Sequence, residues 1–204
     1  MKQRVVLLMV AALLMVSLGC SLVTGRQSSG GGTASTSDFE IKVVNQSPDE
    51  VCYVLISSSD SDQWGDDWLG GEETIAPGDS KTFTVPAGQH DIQLETCDEA
   101  VVATGWYIEN NTTITVGDPR ATSRLFLDNT SDTEICYVFI SSSGGDDWGE
   151  DLMGESETVQ SGRTRIFYLR PGTYDLMARD CDDNVLAEEY NVDLSSDKTW
   201  TLSE

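Results

Sequence analysis

"VCYVLISSS", residues 51–59, returns as "ICYVFISSS", residues 135–143, and the 84-residue offset between the two stretches organises the chain. In the first stretch Cys52, Val54 and Ile56 fall on one face of an extended segment, while Val51, Tyr53 and Leu55 fall on the other. A strand that is apolar on both faces must be covered on both. One face is expected to meet an opposing sheet. The other needs a cover, and the residues that follow are the glycine-punctuated "SDQWGDDWLGG", residues 61–71, matched by "GDDWGEDLMGE", residues 145–155.

Working outward, the same offset places Cys52 on Cys136, Trp64 on Trp148, Gly78 on Gly162, Asp91 on Asp175 and Cys97 on Cys181. It holds without a gap from Ile41 to Ile108, which fall on Leu125 to Val192. Self-similarity at a fixed period reads as a repeated structural unit. Two copies are expected, over 39–117 and 122–204. Alternating polarity and frequent turn residues predict strands near 39–45, 51–57, 81–85, 89–97, 101–108 and 112–116, repeated in the second copy and ending at 199–202. "APGD" (76–79) and "RPGT" (170–173) predict type II turns, with Pro presetting a negative φ and Gly supplying the positive one. Helical periodicity is absent from these segments. The expected fold class is all-β: two tandem, small, disulfide-stapled, Ig-like β-sandwich repeats.

Of the five cysteines, Cys20 stands apart and the other four divide as Cys52 with Cys97 and Cys136 with Cys181, one equivalent pair per copy. Four cysteines allow three pairings. Only the within-copy pairing serves each copy alone, and in an exported chain structural disulfides are the expected use. Each bridge would close a loop of about 45 residues, worth roughly 4 kcal/mol in the chain-entropy account. A domain of this size has a small core, so that contribution matters.

The first residues are read as targeting rather than fold. Lys2 and Arg4 precede an uncharged run from Val5 to Val16, then Ser17, Leu18 and Gly19 ahead of Cys20. The stretch 1–19 resembles a bacterial lipoprotein signal peptide, with Ser17 and Leu18 in the reverse of the usual aliphatic-then-small order. The resemblance implies lipidation of Cys20 and an exported, membrane-anchored chain facing the periplasm or the cell exterior. An uncleaved anchor over Val5 to Val23 and simple secretion are the alternatives. Residues 20–38, rich in Gly, Ser and Thr, read as a flexible tether.

Net charge is −23, and without Lys2 and Arg4 it becomes −25. A surface that acidic repels phosphate backbones and anionic headgroups, so no nucleic-acid partner is expected. Solubility or a cationic ligand remains. Asp60, Asp62, Gly65 and Asp66 fall at the first, third, sixth and seventh places of an EF-hand-like loop, but Trp64 and Gly71 occupy the fifth and twelfth, where ligands belong. A different calcium geometry stays open, using Asp62, Asp66 and Asp67 or their equivalents Asp146, Glu150 and Asp151. What the copies share is Trp64, Gly65, Asp67 and Gly70, repeated as Trp148, Gly149, Asp151 and Gly154. That set reads as a structural loop, a packed turn whose indole covers the Tyr53 or Tyr137 face. Trp68, replaced by Leu152, reads as a more exposed contact, and an aromatic platform for sugar or peptide is its functional version.

The run I-C-Y-V-x-I-S-S-S, then D-x-W-G-x-D-x-x-G, P-G-D, T-x-T-V and G-x-x-D-I before an acidic turn resembles uncharacterised exported bacterial domains with a W-G-x-D-x-L-G signature. Residues Trp64 to Gly70 fit it throughout. The second copy has Met153 at the Leu place and Ser161 where Pro77 stands. The resemblance implies architecture and export, with no catalytic residue or ligand. Nucleophilic catalysis needs a base beside the nucleophile, yet the sole histidine, His90, becomes Tyr174 in the second copy. The expectation is a non-enzymatic cell-envelope lipoprotein serving as a surface binding or structural module for an extracellular protein or carbohydrate. A calcium-dependent module or a secreted hydrolase would be the alternatives.

Overall fold

A computed structural model describes residues 37–145, 147–154 and 156–203, so the leader, Cys20 and most of the tether lie outside the described residues. The described chain is all-β. Its strands are β1 (Phe39–Asn45), β2 (Tyr53–Ser58), β3 (Ser80–Val85), β4 (His90–Glu95), β5 (Val101–Ile108) and β6 (Thr112–Val116), followed by β7 (Ser123–Asn129), β8 (Tyr137–Ser142), β9 (Thr164–Leu169), β10 (Thr173–Arg179), β11 (Val185–Asp193) and β12 (Lys198–Leu202). The strands expected from alternation are all present, with ends displaced by a residue or two. In β1 the period of two is plain: Phe39, Ile41 and Val43 are buried while Glu40 and Lys42 are exposed.

The strands form three sheets. One has the order β3-β1-β6, another β11-β10-β8, and a six-stranded one β12-β7-β9-β5-β4-β2. β1 pairs antiparallel with β3 and parallel with β6, and β7 repeats this with β9 and β12. Two separate sandwiches would give four sheets. The count falls to three because β5 and β9 meet in a parallel contact at Val101 and Arg165, which makes one sheet continuous between the two halves.

Two hydrophobic clusters fill the fold. The first takes Ile41, Val43 and Phe83 from the three-stranded sheet, Val54, Ile56, Ile92 and Leu94 from the β2-β4-β5 arm, and Ile166 from β9. The second takes Leu125, Leu127, Phe167 and Trp200 from one sheet and Val138, Leu176 and Ala178 from the other. The inner faces of two sheets thus close each cluster.

Cys52 is bonded to Cys97 and Cys136 to Cys181, the pairing expected within each copy. Disulfides of this structural kind belong to an oxidising compartment, extracellular or periplasmic. Among the described residues no helix is long and apolar enough to cross a membrane.

One turn differs from expectation. Gly78 has φ +89° and serves the "APGD" turn as foreseen, and Gly162, with φ +76°, is its counterpart in "QSGR". Gly172 in "RPGT" does not have positive φ. A Cβ there would lie 3.1 Å from the Tyr174 ring, so that glycine makes room for the ring and is not at the αL position of a type II turn.

Candidate functional site: the tryptophan loops and the aromatic corners

The loop after β2 runs along the edge of that strand. Asp67 directs Oδ1 back to β2 and accepts the Val54 amide at 2.9 Å and the Leu69 amide at 3.0 Å. The Trp68 amide donates to the Val54 carbonyl, and Leu55 and Asp67 form an isolated bridge. Trp68 Nε1 donates to the Ile56 carbonyl at 3.3 Å. A Cβ on Gly65 would sit 2.9 Å from the Ile56 oxygen, so glycine is required by the close approach of two backbones. β2 has only β4 as a strand partner, and a bare edge would offer its amides to other chains. The loop satisfies that edge. Asp151 does the same after β8, accepting from Val138 at 2.8 Å and Met153 at 3.1 Å, with the Leu152 amide on the Val138 carbonyl.

A lid over the tyrosine face was expected of this loop, and these bonds place its backbone along the strand edge. The loop clasps the strand edge, and its shared indole reaches a different ring. Trp64 lies 5.5 Å from Trp106, tilted by 51°, and Trp148 repeats both values against Tyr190. Trp68, 38% exposed, meets Phe83 edge-on, and its counterpart Leu152 is 42% exposed. The glycines of the two loops are not equivalent in conformation: Gly70 and Gly149 have positive φ, while Gly65 and Gly154 do not. A Cβ on Gly154 would lie 3.4 Å from the Trp106 ring, a contact from one half to the other.

A second carboxylate builds each aromatic corner. Asp91 is buried and accepts the Ser59 hydroxyl at 2.5 Å and the Tyr107 amide at 3.0 Å; Asp175 accepts the Ser143 hydroxyl at 2.6 Å and the Asn191 amide at 2.7 Å. The Asn191 amide, and then the Ser143 hydroxyl, hold the Asp175 carboxyl below the usual range. Each acid pins a residue with positive φ, Tyr107 at +53° and Asn191 at +56°, beside a register shift between the flanking strands. Such bulges re-aim the neighbouring side chain, here Trp106 and Tyr190. The sequence signal for this pair was the Asp91 and Asp175 match together with the serine run, and spacing alone assigned them no role.

The candidate cation ligands do not converge in the first loop. Asp62 and Asp66 are exposed, whereas Asp67 is turned onto β2. Among the described residues the ligand-distance groups are Glu50 with Cys52 and Cys97 and Glu134 with Cys136 and Cys181, whose sulfurs are held in disulfides. In the second loop Glu150 is exposed, Asp151 is shifted upward by burial, and Asp146 lies outside the described residues. His90 Nε2 donates to the Pro86 carbonyl at 3.0 Å, and Tyr174 donates its hydroxyl to the Arg170 carbonyl at 2.7 Å, so the two residues brace equivalent connections from one sheet to another, β3 to β4 and β9 to β10.

Between the halves the first corner opens onto a cleft of about 80 Å³, lined by Trp64, Trp106, Gln93, Gln160, Arg163 and Arg165 among others. Arg165 and Glu157 are both buried there and meet at 2.6 Å, and Thr104 donates to Glu157 at 2.8 Å. Arg163 reaches Glu95 at 2.5 Å. Burial raises the Glu95 carboxyl, and Arg163 opposes the rise. Farther along, Arg124 meets Asp49 at 2.6 Å and Tyr168 donates to the same carboxylate at 3.1 Å.

No family model matches the chain, and no curated protein matches it. Among solved structures it is similar to "The Bacillus anthracis TIE protein", at 9% identity and a TM-score of 0.27, over 82% of this chain and 34% of the other. The chain thus spans about a third of that protein's length.

Proposed function

We propose that the protein is an exported, membrane-tethered lipoprotein carrying two copies of one small Ig-like sandwich, joined into a single non-catalytic binding or structural module. The observation that carries the reading is the junction. β5 and β9 make one sheet continuous, and beside it the buried Arg165 and Glu157 of the second half reach across to the first, Arg165 donating to the Val101 carbonyl and Glu157 accepting from Thr104. Evolution of reach or avidity by duplication would tolerate a loose linker. A buried, hydrogen-bonded joint instead supports a fixed presenting surface. The disulfides support export, and the leader and tether reading supplies the anchor.

Metabolic labelling with a radioactive fatty acid tests the anchor. The wild-type chain takes up label and partitions with membranes, and Cys20→Ala loses the label; retention of label by that variant refutes lipidation at Cys20. A calcium titration tests the cation alternative. Because Asp67 and Asp151 are used by backbone amides, melting temperature is expected to stay constant up to millimolar calcium.

A further inference from the structure

We infer that the corner formed by Trp148 and Tyr190 binds a basic side chain, arginine or lysine, of a partner protein. Two aromatic rings tilted at 51° stand beside the carboxylates of Asp147 and Asp175, with Ser141 and Gly145 completing a cavity of about 130 Å³. Ring faces attract a cation within about 6 Å of their centroids, Trp most strongly. Carboxylates on the same wall complement its charge, and a chain of net charge −23 draws cations toward it. Tyr190 is 58% exposed, so an approaching side chain can reach the ring. The bulge that aims Tyr190 is held by Asp175, which makes the corner a built feature of the fold.

The other half of the chain indicates the occupant. There the equivalent corner, Trp64 with Trp106, fronts a cleft shared with Arg163 and Arg165 on or beside β9. The protein thus brings arginine side chains into the cavity that this corner lines, where Arg163 pairs with Glu95 and Arg165 with Glu157. The second cavity is lined, among the described residues, by residues of its own half. It lies beside β11, the end strand of its sheet, where an extended partner segment could pair as β9 does with β5.

A second copy of this chain fits poorly. β3 would have to act as β9, yet it has Asp79 and Lys81 in place of Arg163 and Arg165. It also presents Thr82 and Thr84, with Lys42 alongside, where Ile166, Tyr168 and Phe126 cover the first cluster.

The test uses the full-length chain in detergent micelles, labelled with 5-fluorotryptophan at its five tryptophans and followed by fluorine NMR. The probes are acetyl-Gly-Arg-Gly-amide, its Lys and Gln twins, and tetramethylammonium. Arginine or lysine peptide is expected to shift the Trp148 resonance saturably and to leave Trp64 unmoved. Affinity falls about fivefold or more in Tyr190→Ala and in Asp147→Asn, and stays within about twofold in Tyr190→Phe. These side chains are exposed, and an unchanged melting curve verifies that the variants fold. An equal response to the glutamine peptide, or no loss in Tyr190→Ala, overturns the proposal. Response to tetramethylammonium but to neither basic peptide overturns the assignment to a protein side chain. The inference rests on the binding-module reading. Its failure would leave the lipid labelling result standing, because that assay reads Cys20 alone.

Discussion

Asp67 and Asp151 show how much one side chain decides. Each carboxylate takes two backbone amides, one from the strand and one from its own loop. Removing an acceptor strands both donors, at about 1–3 kcal/mol. Asp67→Ala is therefore expected to lower the melting temperature by several degrees, read by circular dichroism, and Asp151→Ala to do the same. Glu95 gives a pH signature. Its folded-state pKa is raised, so its favourable contribution is present below the ordinary Glu value and is lost as pH rises through the folded one. Arg163 limits that loss. Arg163→Ala should raise the Glu95 pKa further in an NMR titration and destabilise the protein at pH 7, with the deficit shrinking as pH falls through the raised folded-state pKa, above the ordinary Glu value. Neither acid announced this work in the sequence. The Trp-Gly-x-Asp spacing marked Asp67 as shared, but whether it would cap a turn, hold an ion or clasp a strand depends on where β2 ends. Asp91 and Asp175 were legible only as matches, since a bulge in a hairpin leaves no spacing signal.

At the scale of elements, the strands were legible because segments such as β1 and β7 alternate cleanly and others, such as β2, are short apolar runs bounded by turn residues. The cysteine pairing was legible because each copy needs its own. Cys52→Ala with Cys97→Ala should cost about 2–4 kcal/mol, and the equivalent pair in the other half as much, measured by denaturant unfolding. Loop placement was harder to foresee. Tyr53 and Leu55 are half-buried, and the loop after them lies along the edge of their strand, satisfying Val54 and Ile56 backbone groups that no pattern of polarity reveals. The RPGT turn failed as a prediction for a related reason. Gly172 is fixed by the room the Tyr174 ring takes up, and the Pro-Gly dipeptide does not show which constraint governs.

At the scale of the whole molecule, the joint between the halves was invisible in the sequence, because its crossing bonds, Arg165 to the Val101 carbonyl, Thr104 to Glu157 and Arg163 to Glu95, join residues more than fifty positions apart. Arg165 and Glu157 are buried, while their equivalents pair at the surface, Lys81 half-buried and Glu73 exposed. Breaking a buried pair leaves a charge without its partner, so Arg165→Ala should cost about 3–5 kcal/mol, whereas Arg165→Met with Glu157→Leu should be near neutral. Differential scanning calorimetry distinguishes the two outcomes. The parallel pairing of β1 with β6, and of β7 with β12, has a mechanical consequence. A pull on the amino end of β1 and the carboxyl end of β6 drives neighbouring strands in opposite directions along a common axis. The rungs from Ile41 and Thr112 to Asn45 and Val116 then take the load together, where a hairpin would open one rung at a time. Stretched between its two ends, the protein should hold as a shear clamp, with each disulfide keeping 45 residues of chain from paying out after the clamp gives.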